Sequence, residues 1–381
     1  MARPIPRWRA ATLGGAAVIA LVAGAASGPA AGCSTPSSSV DAGEIYGVFD
    51  GGTADAARDA APDARPRPAG SGSAAASAGA SAAAAASAAR PASSETARQP
   101  VSGTCVAAAG QPNRDIKRTL GRPACRDAQI LEWRDAEGSP RYACLVAPRG
   151  ADTRAPLPLV LWFHADDEDP TSVDKRTGLR RLGASLNLTG DPAHAGFLVL
   201  AVQGRSIFGG KRGRVFDTEY LAADNVDVAT VDHFFDEIDK RGLVDKRRVF
   251  TLGAGSGGQM AATYAMLRAD RVAAFAAYAP EAPTASWSCD ASPPPGLVLY
   301  RSCDAVTPCE QVERWLRSRD GTSAETEWTR LGLVDEEEPS CALRNKCTKK
   351  KGQANHARWP KLREDDILAF FGRRALAAPG R

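Results

Sequence analysis

Residues 248–260 read RVFTLGAGSGGQM. Val249, Phe250 and Leu252 make a short apolar strand, a glycine-rich turn follows, and Gln259 opens a helix of apolar and small residues to 268. Glycine is the residue that tolerates positive φ and lets two backbones approach closely. A strand that turns this sharply into a helix marks an α/β arrangement.

The flanking sequence has the same alternation. Residues 157–164, LPLVLWFH, are almost continuously apolar, as in a strand buried on both faces. Strands are also predicted at 141–148, 197–203, 272–279 and 297–300. Val228, Val231, Phe234, Phe235 and Ile238 have the three-and-four spacing of an amphipathic helix over Val226–Lys240. A further helix is predicted at 365–374. Strands alternating with helices imply a doubly wound, mostly parallel sheet with helices on both faces, its site at the C-terminal ends of the strands.

Two polar residues stand at such ends. Asp304 follows the strand at 297–300 in YRSCDAVTP, and His356 lies in NHARWP before the last helix. With Ser256 they occur in the order Ser, Asp, His. These residues, with Asn225-Val226-Asp227 and Asp245-Lys246-Arg247-Arg248-Val249, make the chain resemble the α/β-hydrolases, in particular the polyhydroxybutyrate depolymerase and feruloyl esterase group. The resemblance covers roughly residues 142–371. It implies an α/β-hydrolase fold and an ester or polyester substrate. It also implies a nucleophile elbow, where a serine sits on a strained strand-to-helix turn. In that role Ser256 would attack, His356 would act as general base and Asp304 would orient the imidazole. Backbone N–H groups of Ala165 and Gly257 would hold the oxyanion. No cofactor or metal is expected.

The elbow has two registers. Counted from Arg248-Val249 without a gap, the family's serine position holds Gly255, flanked by Gly253 and Gly257. Read from Ser256, the turn is Ala254-Gly255-Ser256-Gly257-Gly258. The first register gives a catalytically silent hydrolase fold acting as a surface binding module, and the second gives a serine ester hydrolase. The family's His-Gly is here His164-Ala165, followed by Asp166, Asp167, Glu168 and Asp169. A carboxylate about 4 Å from a developing oxyanion costs about 4 kcal/mol at an effective dielectric near 20. The usual place for such an acidic run is solvent. The turn also fits Gly-x-Gly-x-x-Gly, but it lies late in the sheet and lacks the acidic partner of a dinucleotide site. His233 reads as structural, and Lys349, Lys350 and Lys351 as the solvated face of a polar loop.

The N-terminus reads as an export signal. Three arginines within the first nine residues precede an apolar run at 10–26, and Ala30-Ala31-Gly32 lead to Cys33. Residues 1–32 are thus expected to be a signal peptide of lipoprotein type, with Cys33 lipidated to anchor the chain in the lipid membrane of a bacterial cell envelope. Residues 33–102 are dominated by Ala, Ser, Gly and Pro, and 69–89 contain only Ala, Gly and Ser, so a low-complexity tether is expected before a domain over 103–381. Eight further cysteines, Cys105, Cys125, Cys144, Cys289, Cys303, Cys309, Cys341 and Cys347, all fall in that domain. An even set in an exported chain reads as four disulfides. Proximity suggests Cys303 with Cys309 or Cys289, and Cys341 with Cys347. Zinc is the rival, but no Cys-x-x-Cys occurs and histidines number four. A net charge of +4 without a basic stripe, and 6% aromatic residues, argue against a nucleic-acid partner.

Overall fold

The computed structural model describes residues 96–98, 105–107, 110–114, 121–151, 155–191, 194–207, 214–222, 224–281, 287–289, 293–320, 325–341 and 347–377. All belong to the unit Ala84–Arg381. Cys33, the expected signal peptide and nearly all of the expected tether lie outside the described residues. The last stretch of that tether forms a short strand, β1 (Thr96–Arg98).

In chain order there follow β2 (Cys105–Ala107), β3 (Gln129–Arg134), β4 (Pro140–Val146), β5 (Leu157–Phe163), α1 (Ser172–Arg176), α2 (Leu179–Gly183), β6 (Leu198–Val202) and α3 (Val226–Lys240). The second half comprises β7 (Val244–Ala254), α4 (Ser256–Leu267), β8 (Ala274–Tyr278), β9 (Trp287–Cys289), β10 (Gly296–Arg301), α5 (Cys309–Asp320), β11 (Thr326–Leu331), α6 (Lys349–Ala357), α7 (Glu364–Gly372) and β12 (Arg374–Leu376). Eight strands form the main sheet in the order β11-β10-β8-β7-β5-β6-β4-β3. β4 runs antiparallel to both its neighbours, and the other pairs are parallel.

Helices cover both faces. One core layer gathers Val228, Val231, Phe234 and Ile238 of α3, Met260 and Tyr264 of α4, and Val312 and Leu316 of α5. The other gathers Val173, Leu179 and Leu182 with Ile367, Phe370 and Phe371 of α7. α3 occupies the predicted span, and its Asn225 cap accepts from the N–H groups of Asp227 and Val228. β7 is longer than expected. After a buried first residue come three that are partly or fully exposed, and then seven buried ones, so only its end has the continuous buried signal.

Among the elements not legible in the sequence are β3, β11, α5 and α6. β3 and β11 are the sheet edges, and their mixed burial dilutes any strand signal. The helices α5 and α6 are rich in charge. The Lys349–Lys351 segment, expected as loop, is the first turn of α6, where the Thr348 hydroxyl accepts the N–H of Lys351. His233 stacks on Trp133 at 4.4 Å between ring centroids, in keeping with a structural part.

The disulfide pairing differs from the expectation by proximity. Bonds join Cys125 to Cys144, Cys303 to Cys347 and Cys309 to Cys341. Cys105 is also disulfide-bonded and lies opposite Cys289 in the antiparallel β2–β9 ladder. Cys303 follows β10 whereas Cys309 starts α5, so Cys303 reaches Cys347 and Cys309 reaches Cys341 instead of each other. Cys309, Glu313 and Cys341 are the group among the described residues whose ligand atoms lie close enough for a metal. Both its thiols are consumed by the bond between them. Such bonds fit an oxidising compartment. Among the described residues no helix is long and apolar enough to cross a membrane.

Candidate active site

The apex of the turn between β7 and α4 is Gly255, with φ 57° and ψ −127°. L-residues rarely adopt this conformation, and it aims whatever stands there above the sheet edge. The residues two before and two after the apex must be small. A Cβ at Gly253 would fall 2.1 Å from the Gly257 carbonyl oxygen, and one at Gly257 would fall 2.3 Å from the carbonyl oxygens of Phe163 and His164. Gly253 and Gly257 are therefore a close-approach pair on either side of Gly255.

A Cβ at Gly255 would lie 3.3 Å from Nε2 of His356 and 3.6 Å from the Ala165 methyl. The position the imidazole faces thus carries no side chain. Ser256 is the first residue of α4, and its hydroxyl donates to the Asp166 carboxylate. Gly257 packs beneath the end of β5. In the register centred on Gly255, the backbone N–H following the apex is that of Ser256.

Asp304 and His356 come together. His356 Nδ1 donates to Asp304 Oδ2 at 3.0 Å, with the Asp304 side chain 1% exposed and that of His356 19%. Asp304 Oδ1 accepts the N–H groups of Val306 and Thr307, and the Thr307 hydroxyl donates to Oδ2. Thr307 was missed in the sequence. The Asp-x-x-Thr spacing of a side-chain-capped turn is the signal that marks it. Among the described residues Nε2 of His356 makes no hydrogen bond.

The placement of His356 depends on a buried scaffold. Arg301, wholly buried, donates from Nε to the Tyr278 hydroxyl and from Nη1 to the Gly332 carbonyl. Tyr278 in turn donates to the Asn355 carbonyl, and the Asn355 amide donates to the Cys303 carbonyl. The residue before His356 is thereby tied to the residue before Asp304. The Cys303–Cys347 bond ties the same two segments covalently.

The acidic run after β5 is only partly in solvent. The Ala165 N–H, the expected oxyanion donor, is given to Glu168 Oε2 at 3.2 Å. Glu168 is also bonded by Arg176 Nε at 2.6 Å, and Arg176 Nη1 donates to the Ala357 carbonyl beside His356. Asp169 accepts from Thr171 and pairs with Arg214 at 3.3 Å. The loop is therefore drawn back over the turn by cations on both sides, which sequence order alone does not reveal.

His164 has a different part from His356. Its Nδ1 donates to the Ala165 carbonyl at 2.7 Å, and its Nε2 accepts the Gly204 N–H at 2.9 Å. Complete burial holds its pKa down at about 4, so the ring is neutral and works as a bracket for the loop.

Numbered consecutively within the main sheet, the strands follow the order 1-2-4-3-5-6-7-8 with the second antiparallel. With the glycine turn after the fifth strand and Asp304 after the seventh, this is the α/β-hydrolase fold. Solved structures to which the chain is similar include esterases. A thermostable esterase has a TM-score of 0.43 at 15% identity, over 65% of this chain and 63% of that one. The propionate-bound esterase 2 of Thermogutta terrifontis has a TM-score of 0.45 at 13% identity, over 68% and 98%. The Bacillus cereus carboxylesterase has a TM-score of 0.39 at 14% identity, over 61% and 94%. The chain spans less than two thirds of the first of these. No protein-family model and no curated protein matches it.

Proposed function

We propose that this chain is an α/β-hydrolase-fold binding module that takes an ester- or acyl-bearing ligand without forming an acyl-enzyme. The observation that carries this reading is the 3.3 Å from His356 Nε2 to the Cβ position of Gly255, where a nucleophile's side chain would begin. Engagement of Ser256 by Asp166, and of the Ala165 N–H by Glu168, supports it. The rival reading is a serine ester hydrolase using Ser256, His356 and Asp304, with Ala165 and Gly257 as oxyanion donors. It is favoured by the preserved Asp304–His356 pair.

A fluorophosphonate probe separates the two, because it reports an activated serine whatever the substrate. The wild type is expected to remain unlabelled. Gly255→Ser is expected to become labelled and to lose the label when combined with His356→Ala. Wild-type labelling that disappears in Ser256→Ala would establish the hydrolase instead.

The module's setting follows from its N-terminus. It is an exported envelope lipoprotein held by lipid on Cys33, with the following low-complexity stretch as tether. Cys33→Ala should release the protein from the membrane fraction. Unchanged fractionation and unchanged mass of that variant would refute the anchor.

A further inference from the structure

The Asp304–His356 pair is a complete general-base assembly facing a space with no nucleophile in it. Asp304 accepts the Nδ1 proton at 3.0 Å, which leaves the Nε2 lone pair directed away from the carboxylate. The atoms nearest the Cβ position of Gly255 are His356 Nε2 at 3.3 Å, the Ala165 methyl at 3.6 Å and His356 Cε1 at 3.8 Å. The 3.3 Å approach is tighter than ordinary carbon packing, but it lies within reach of a hydrogen bond from a small oxygen to the base. The imidazole is partly exposed, so solvent reaches it. A water fits this description and would stand where the elbow otherwise presents a hydroxyl.

We infer that the site slowly hydrolyses activated aryl esters by direct attack of water, with His356 as general base. The inference rests on the reading that Gly255, not a serine, occupies the apex. The water oxygen forms a bond to the ester carbonyl carbon while its proton passes to Nε2, and the carbonyl electron pair moves onto oxygen. Collapse of the tetrahedral intermediate breaks the bond to the aryloxide, which takes the proton back from Nε2. The products are a carboxylic acid and a phenol, and the base is regenerated. The substrate class follows from the oxyanion side. Glu168 Oε2 holds the Ala165 N–H at 3.2 Å, so stabilisation of the intermediate is weak and a good leaving group is required.

The test uses the full mature chain with p-nitrophenyl acetate, alone and after incubation with a fluorophosphonate. The wild type should turn over about 100-fold faster than His356→Gln, the low end for general-base catalysis. It should do so without an initial burst and at the same rate after fluorophosphonate. Gly255→Ala, whose methyl takes the place of the water, should also fall to the His356→Gln rate, with near-UV circular dichroism confirming its fold. Equal rates for the wild type and a folded His356→Gln would overturn the inference and leave the binding module standing. A rate abolished by fluorophosphonate, with the label on Ser256, would overturn both.

Discussion

Arg205→Ala is expected to lower the free energy of unfolding by about 3–5 kcal/mol, the range for removing one partner from a buried ion pair. Arg205 follows β6 and its side chain is 2% exposed. Its Nε donates to Asp227 Oδ1 at 3.0 Å, its Nη1 to the Asn113 carbonyl at 2.9 Å, and its Nη2 lies 3.4 Å from Asp217 Oδ2. Asp217 and Asp227 are equally buried, and the Asp217 N–H donates to Asp227 Oδ2. Without the guanidinium, two carboxylates remain close together away from water. Asn225, which caps α3, also bonds the Asp217 carbonyl, so the damage extends to the start of that helix. Arg205→Lys keeps the charge but not the fork, and should recover only part of the loss. Urea unfolding at neutral pH measures this, with disulfides intact. A loss below about 1 kcal/mol, the scale of an exposed pair, would show that the cluster is hydrated in solution.

The second large effect is on acid stability, through His164. Folding lowers its pKa from 6.5 to about 4, chiefly by burial, with Arg214 and Arg176 lowering it further and Asp169 opposing them. Between these values the unfolded chain holds a proton that the folded chain refuses, so stability rises with pH across that window. The contribution is present in full above the unfolded value and is lost progressively as the pH falls from about 6.5 to about 4. The shift corresponds to roughly 3 kcal/mol. The geometry explains the sign. Protonation at Nε2 would turn the acceptor of the Gly204 N–H into a second donor and place a charge out of reach of solvent. In His164→Gln the side-chain carbonyl replaces that acceptor and cannot titrate. Its stability at neutral pH should be lower than that of the wild type, but its decline toward pH 4 should be shallower by roughly 3 kcal/mol. Parallel pH–stability curves for the two proteins would refute the assignment.

The sheet was legible because its central strands are buried on both faces and must be apolar throughout. Residues 157–163 have that property and 249–252 nearly do, and β5 and the end of β7 lie next to each other at the middle of the sheet. The edge strands β3 and β11, with one side in water, carry no such signal. α6 was missed because none of its residues is a large apolar side chain. Its buried positions are Gly352 and Asn355, held by a close approach to Ala305 and a hydrogen bond to the Cys303 carbonyl.

The sequence by itself determined the α/β alternation, the glycine turn after Arg248–Leu252, and the contexts of Asp304 and His356. Each is a local pattern that hydrophobic burial and backbone sterics impose on neighbouring residues. It left the register of the elbow open, because a serine beside three glycines satisfies either frame. Only the tertiary structure decided which of these positions must stay free of a side chain. The carbonyls of Phe163 and His164, on a different strand, leave no room for a side chain at 257, and the imidazole of His356, about a hundred residues further on, faces 255. The same holds for Glu168 and Asp169 of the acidic run, which Arg176 and Arg214 hold while Asp166 and Asp167 stay exposed, and for the cysteines, whose partners were set by where β10, α5 and α6 meet. Side chains that meet only after the chain has folded leave no periodic trace, so spacing along the chain could not reveal which of them would touch.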